Sequence, residues 1–141
     1  MNDEMVRLTM PAHAGGLKKF CAFVRMGAEA ANLPSDDMDK LDLVLEELFM
    51  NIARHAYAPD QGDVEVGYRA TGPGRLLVQI SDSGRAFNPL ASDLPNYSGS
   101  LADRRLGGMG IFLVRKMAGS LRYERAGGRN QVSFEFPATA L

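Results

Sequence analysis

Cysteine occurs once in this 141-residue chain and histidine twice, and neither sign of charge is in excess. A lone Cys21 excludes an internal disulfide and fits a reducing compartment. Cys21, His13 and His55 are too few for a Cys/His metal cage. The formal net charge of −1 argues against a dedicated nucleic-acid binder, which carries a strong basic surplus. No apolar run approaches the ~20 residues of a membrane span. The opening MNDEMVRLTM carries acidic residues and lacks the apolar core of a signal peptide. These absences point to a cytoplasmic protein that contacts neither membrane nor nucleic acid. Internal repeats, low-complexity tracts and interdomain linkers are also missing. The expectation is therefore one domain over residues 1–141, long enough to bury roughly two thirds of its unfolded surface.

What is present centres on Leu41–Tyr57, LDLVLEELFMNIARHAY. Leu41, Val44, Leu45, Leu48 and Ile52 recur at three- and four-residue spacing, the apolar stripe of a helix. Glu47 and Asn51 lie four apart, so they stack on neighbouring turns along its flank. A carboxylate and a carboxamide at the edge of a buried face lose hydration, so each needs a partner.

The surrounding chain alternates strands and helices. Met5–Met10 reads as a short strand that Pro11 ends. Leu17–Ala31 follows helical spacing, and Asn32-Leu33-Pro34 stops it. Ser35 is placed to cap the Glu47 helix, with Asp36 and Asp37 favouring its positive end. Val64, Val66 and Tyr68 share one face of a strand, and Leu76, Val78 and Ile80 one face of the next, joined through Thr71–Gly74. Asp82 continues the second alternation, so that strand delivers a carboxylate inward at its end. Residues 83–108 form a polar, Gly- and Pro-bearing stretch of roughly 25 residues, too long for an idle connection and expected to act as a lid. A helix from Met109 to Ala118 and a hairpin around Gly127-Gly128 complete the pattern. The class is α+β: an antiparallel or mixed sheet with helices on one face.

Three motifs carry the chemistry. Glu47-x-x-x-Asn51 lies on its helix. Asp82-Ser83-Gly84 lies where a strand runs into a loop, and its glycine lets backbone pass close to a flat ligand. Gly107-Gly108-Met109-Gly110 opens a helix, exposing backbone N–H groups at the positive end of the dipole, a site for anions. Arg105 is close enough to add a bidentate grip on phosphate. The glycines are not a Rossmann fingerprint, because no third glycine follows at the required spacing, and the G-x-x-x-x-G-K-[ST] of a P-loop is absent.

In order, Glu47…Asn51…His55-Ala-Tyr57, Asp82-Ser-Gly-Arg-Ala-Phe87-Asn-Pro89 and Arg105-Leu-Gly-Gly-Met-Gly110 resemble the GHKL (Bergerat-fold) ATP-binding domain. Within that superfamily the chain most resembles the bacterial anti-sigma-factor serine kinases of the partner-switching type. The resemblance implies that Asn51 ligates Mg²⁺ and that Glu47 is the general base for a protein hydroxyl. It implies that Asp82 accepts from the exocyclic amino group of adenine, with Gly84 letting the base approach. Gly108 and Gly110 would cradle phosphates and Arg105 would reach them from the lid. Two positions depart from the pattern: Ala86 stands where a further glycine is usual, and Asn88 where the subfamily carries aspartate.

The resemblance implies an ATP- and Mg²⁺-dependent protein-serine kinase. Such a kinase is also an anti-sigma factor: it sequesters a sigma factor and phosphorylates a STAS-type anti-anti-sigma antagonist, as a homodimer. The alternative is a nucleotide-gated binding module without significant turnover. A carboxylate at Glu47 favours the enzyme, since a pure binder has no need of a base beside the γ-phosphate. His55 and Cys21 read as structural residues, and the eight methionines as core filler.

Overall fold

The computed structural model describes residues 4–55, 62–90 and 109–138. Among these, the elements run β1 (Val6–Pro11), a 3₁₀ turn (Ala14–Gly16), α1 (Leu17–Ala30), α2 (Ser35–His55), β2 (Asp63–Gly72), β3 (Arg75–Asp82), α3 (Met109–Met117), β4 (Gly119–Ala126) and β5 (Arg129–Phe136). The strands form one sheet in the order β1-β2-β3-β5-β4. Every pairing among the described residues is antiparallel, one of the two arrangements, antiparallel or mixed, expected from the sequence. β1 extends through Pro11, opposite Asp63. An edge strand tolerates proline there, because the missing N–H faces no neighbour on the open side.

Period-2 patterning decides which face meets the helices. Val64 and Val66 of β2, Leu76, Val78 and Ile80 of β3, and Val132, Phe134 and Phe136 of β5 are all buried. The stripe of α2 (Leu41, Val44, Leu45, Leu48) and Phe20, Val24 and Ala28 of α1 complete the same core. Phe20 meets Phe49 at 4.6 Å between ring centroids, joining the two helices. The alternation does not stop where the hydrophobics do. Asp82 and Asn130 occupy the next inward positions of β3 and β5, directly opposite one another, and Val64 faces Asp82 from the other side. The last row of the helix-facing surface is thus polar at its centre.

Two helix ends show local control. At the end of α1, Asn32 adopts φ 61°. Leu33 N–H donates to Ala28 O, and Asn32 N–H to Glu29 O. This is a Schellman closure with asparagine in the left-handed position. At the start of α2, the carbonyl of Pro34 already accepts from Met38 N–H at 3.0 Å. Ser35 is therefore the first helical residue, one position inside the expected cap. Asp36 and Asp37 occupy the first turn as expected. No helix among the described residues is long and apolar enough to cross a membrane.

α1 lies close on the sheet at Gly27, where a Cβ would fall 2.3 Å from the Tyr68 ring. That ring also packs on Phe23 at 5.1 Å between centroids. Gly27→Ala forces the ring aside and is expected to cost about 1–3 kcal/mol by overpacking. Denaturant unfolding that shows no loss of stability would refute this packing.

Candidate functional site

The polar row at the open end of the core is pinned by one side chain. Asn130, 4% exposed, donates from Nδ2 to Asp82 Oδ1 at 3.0 Å and to Arg85 O at 2.8 Å. Its Oδ1 accepts from Phe87 N–H at 3.3 Å and Tyr123 O–H at 2.5 Å. Asp82 Oδ1 also accepts from Gly84 N–H at 2.9 Å, an Asx turn that takes the chain out of β3. Arg125 donates to Gly84 O, and Arg129 to the hydroxyls of Ser81 and Ser83. The β4–β5 hairpin therefore holds residues 81–85 through donors from three side chains, Arg125, Arg129 and Asn130.

Above this row, α2 closes a crevice. Its walls are Leu48, Asn51 and Ile52 from α2, Ile80 and Asp82 from β3, Asn130 and Val132 from β5, and Phe87 and Pro89 beyond β3. The free space is about 20 Å³, room for a single water. Asn51 is 4% exposed, and its Nδ2 has no hydrogen-bond partner among the described residues. An unmet buried amide of this kind costs on the order of 1–3 kcal/mol. It therefore calls for a polar ligand, and its oxygen is a hard donor of the sort Mg²⁺ takes.

One turn earlier on α2, Glu47 faces an adjoining groove between α2 and α3. Glu46, Met50 and Arg54 line it from α2, and Leu113 and Met117 from α3. Burial pushes the Glu47 carboxyl above its ordinary value; Arg54 pulls it back and Glu46 adds to the rise. α3 begins against this carboxylate: a Cβ on Gly110 would lie 1.4 Å from Glu47 Oε1. The expected set is thus divided. Asn51 and Asp82 share the crevice, with Gly84 bonded beneath it, while Glu47 and Gly110 share the next groove along the same helix. Arg105, Gly108 and residues 91–108 of the expected lid lie outside the described residues.

Sequence alone places Asn130 on the last hairpin and leaves open whether it touches a nucleotide. Its parity with Val132, Phe134 and Phe136 was visible, but its partner lies 48 residues away. Cys21 is half-buried, and its thiol is pushed up to about 11, first by burial and then by Asp42 and Glu46. It stays protonated at neutral pH and is no nucleophile.

The close contact at Gly110 generates a double-mutant prediction. Gly110→Ala alone collides with Glu47 and is expected to cost about 1–3 kcal/mol. In a Glu47→Ala background the obstacle is gone, and the helix propensity of alanine leaves the change neutral or stabilising by up to ~1 kcal/mol. Equal costs in the two backgrounds, read from denaturant midpoints, would show that the two residues do not touch.

Comparison with known proteins agrees with this fold. The histidine kinase-like ATPase domain matches residues 10–136. The serine/threonine-protein kinase BtrW of Bordetella bronchiseptica is 31% identical over 94 residues, 66% of each chain. The serine-protein kinase RsbW of Bacillus mycoides is 25% identical over 122 residues, 81% of this chain and 73% of the relative. Among solved structures, the RsbU and RsbW domains of Rv1364c from Mycobacterium tuberculosis superpose with a TM-score of 0.63 at 15% identity. That match covers 98% of this chain and 34% of the mycobacterial one. The histidine kinase domain of the Erythrobacter litoralis blue-light activated kinase gives 0.52 at 20% identity, over 92% and 62%. These two likenesses support the fold. The chain belongs to the histidine kinase-like ATPase domain family.

Proposed function

We propose that this chain is an ATP-dependent protein-serine kinase of the partner-switching type, which sequesters a sigma factor and phosphorylates a STAS-type antagonist. The observation that carries it is the pairing of buried Asn51 and Asp82 across one crevice, with a carboxylate of raised pKa one turn away on the same helix. The similarity to serine-protein kinases supports the choice of substrate. Residues 1–141 work as one domain in the cytoplasm, as a homodimer, with residues 83–108 as the lid.

In this reading the adenine enters between Ile52, Ile80 and Val132, and its exocyclic amino group donates to Asp82. Both intramolecular bonds of Asp82 land on Oδ1, leaving Oδ2 outside them. Gly84 keeps the backbone low enough for the base to approach. A purine is many times larger than the present free space, so Phe87 and Pro89 must swing outward on binding. Asn51 holds Mg²⁺, whose charge, when bound, neutralises the phosphates during transfer. Gly108, Gly110 and the start of α3 face the phosphates, and Arg105 closes on them from the lid. Glu47 takes the proton from the attacking serine hydroxyl. Its raised pKa brings it closer to the operating pH, which favours a general base.

Replacing Glu47 by glutamine is expected to slow phosphorylation about 10²–10⁴-fold, the usual worth of a positioned base, with ATP affinity nearly unchanged. Phosphoserine on a co-incubated STAS protein, quantified by mass spectrometry, is the readout. Undiminished phosphorylation would remove Glu47 from the chemistry. A wild-type protein that binds ATP yet never phosphorylates a partner would favour a nucleotide-gated binding module instead.

Stability should move in the opposite direction. Because burial raises the folded pKa of Glu47, its contribution is fully present below the ordinary carboxylate value and is lost as pH rises through the folded value. At pH 7 the charged carboxylate is a cost that neutral glutamine removes. Glu47→Gln is therefore expected to melt at or above the wild-type temperature at pH 7, with the difference vanishing under acid. A lower Tm at pH 7 would contradict the burial.

A further inference from the structure

The amide of Asn130 has no capacity left over. An asparagine side chain offers two N–H donors and a carbonyl oxygen with two lone pairs. All four are engaged: the donors by Asp82 Oδ1 and Arg85 O, the oxygen by Phe87 N–H and Tyr123 O–H. The orientation is fixed by these partners. Flipping the amide would set its NH₂ against two donors and its oxygen against a carboxylate and a carbonyl. Asn130 is also 4% exposed, so water does not replace any of these bonds.

We infer that Asn130 is a positioning residue that sets base selectivity: it fixes Asp82 so that Oδ2 alone meets the ligand, and by the same amide it holds Phe87 over the crevice. The inference rests on the adenine role of Asp82 proposed above. Asn130 lines the crevice but offers the ligand no hydrogen bond, since its donors and acceptor positions are all engaged. What it controls is the rotation of the Asp82 carboxylate. One oxygen is tied by Asn130 Nδ2 and Gly84 N–H, which stops the carboxylate from turning to suit a different base edge. A purine with an amino group at C6 donates to the remaining oxygen. A purine with a carbonyl there places oxygen against oxygen and is rejected. The bonds to Arg85 O and Phe87 N–H link that choice to the backbone leaving β3, so selection of the base and placement of its cover depend on one side chain. Tyr123, reaching from β4, anchors the amide from behind.

The test uses the full chain with Mg²⁺, titrated with ATP and with inosine triphosphate, whose base carries a C6 carbonyl in place of the amino group. Wild type is expected to prefer ATP by about tenfold or more. Asn130→Asp keeps the shape but removes both donors. Its ATP Kd is expected to rise about tenfold and its preference to fall toward unity. Tyr123→Phe, at a half-buried site, loosens the same amide and is expected to lower the preference by about two- to fourfold. Arg129→Ala loses its bonds to Ser81 and Ser83 but touches neither Asp82 nor Asn130, so its preference should match wild type. Melting curves establish that each variant is folded; should Asn130→Asp not fold, Tyr123→Phe decides.

An ATP preference retained in both folded Asn130→Asp and Tyr123→Phe overturns the assignment of Asn130 while leaving Asp82 as the adenine acceptor. A wild-type protein that binds both triphosphates alike, or neither, overturns the adenine reading and this inference with it. A preference equally reduced in Arg129→Ala shows general damage to the hairpin and also overturns the assignment.

Discussion

A buried carboxylate needs hydrogen-bond donors to stay buried. The hydrogen bond from Asn130 to Asp82 Oδ1 supplies one at the centre of the sheet. It lies in the same row that, one step further in, is Ile80 against Val132. The change from hydrophobic to polar across two residues ends the core in a hydrogen-bonding row while the register of β3 and β5 continues. Removing Asn130 takes one of two donors from Asp82 Oδ1, and removing Asp82 leaves a donor of Asn130 unmet.

Rigidity on the sheet side is matched by unmet capacity on the helix side. Asn51 presents an amide whose Nδ2 has no partner among the described residues, and Glu47 presents a carboxylate that burial makes reluctant to ionise. Both are costs to the folded chain. Natural proteins accept such costs where a ligand or a reaction redeems them. The division of these residues between a crevice and an adjoining groove fits a reaction in which base and reacting centre lie at opposite ends of an elongated nucleotide.

Much of this was legible in the sequence, and the reason is periodicity. The 3.6-residue stripe of α2 placed Glu47 and Asn51 on one flank, and the two-residue alternation of β3 turned Asp82 inward. The N-terminus of α2 was misjudged by one residue because Ser35 and Pro34 are both acceptable there, and only the hydrogen bond from Met38 separates them. Between an antiparallel and a mixed sheet the sequence left the choice open, because strand direction is a matter of topology that local pattern does not encode; the four described pairings are antiparallel. The role of Asn130 stayed open for a related reason: its partners on and beyond β3 come into view only when β5 is laid beside β3. The seat of Glu47 against Gly110 was equally hidden, since nothing in either segment announces that two helices meet there.

The order of the strands has one more consequence. β2–β3 and β4–β5 are each closed by a tight local turn, whereas β3 meets β5 only after a detour of some fifty residues that includes α3. The sheet is two hairpins joined along the β3–β5 seam, with β1 added at the far edge of β2 across an equally long connection through α1 and α2. Closing the β3–β5 seam is one of two entropically expensive events in assembling the domain. The crevice sits at one end of the seam and touches both hairpins, so any occupant acts as a stitch. Its binding energy would go directly into holding the earlier part of the chain to the later one.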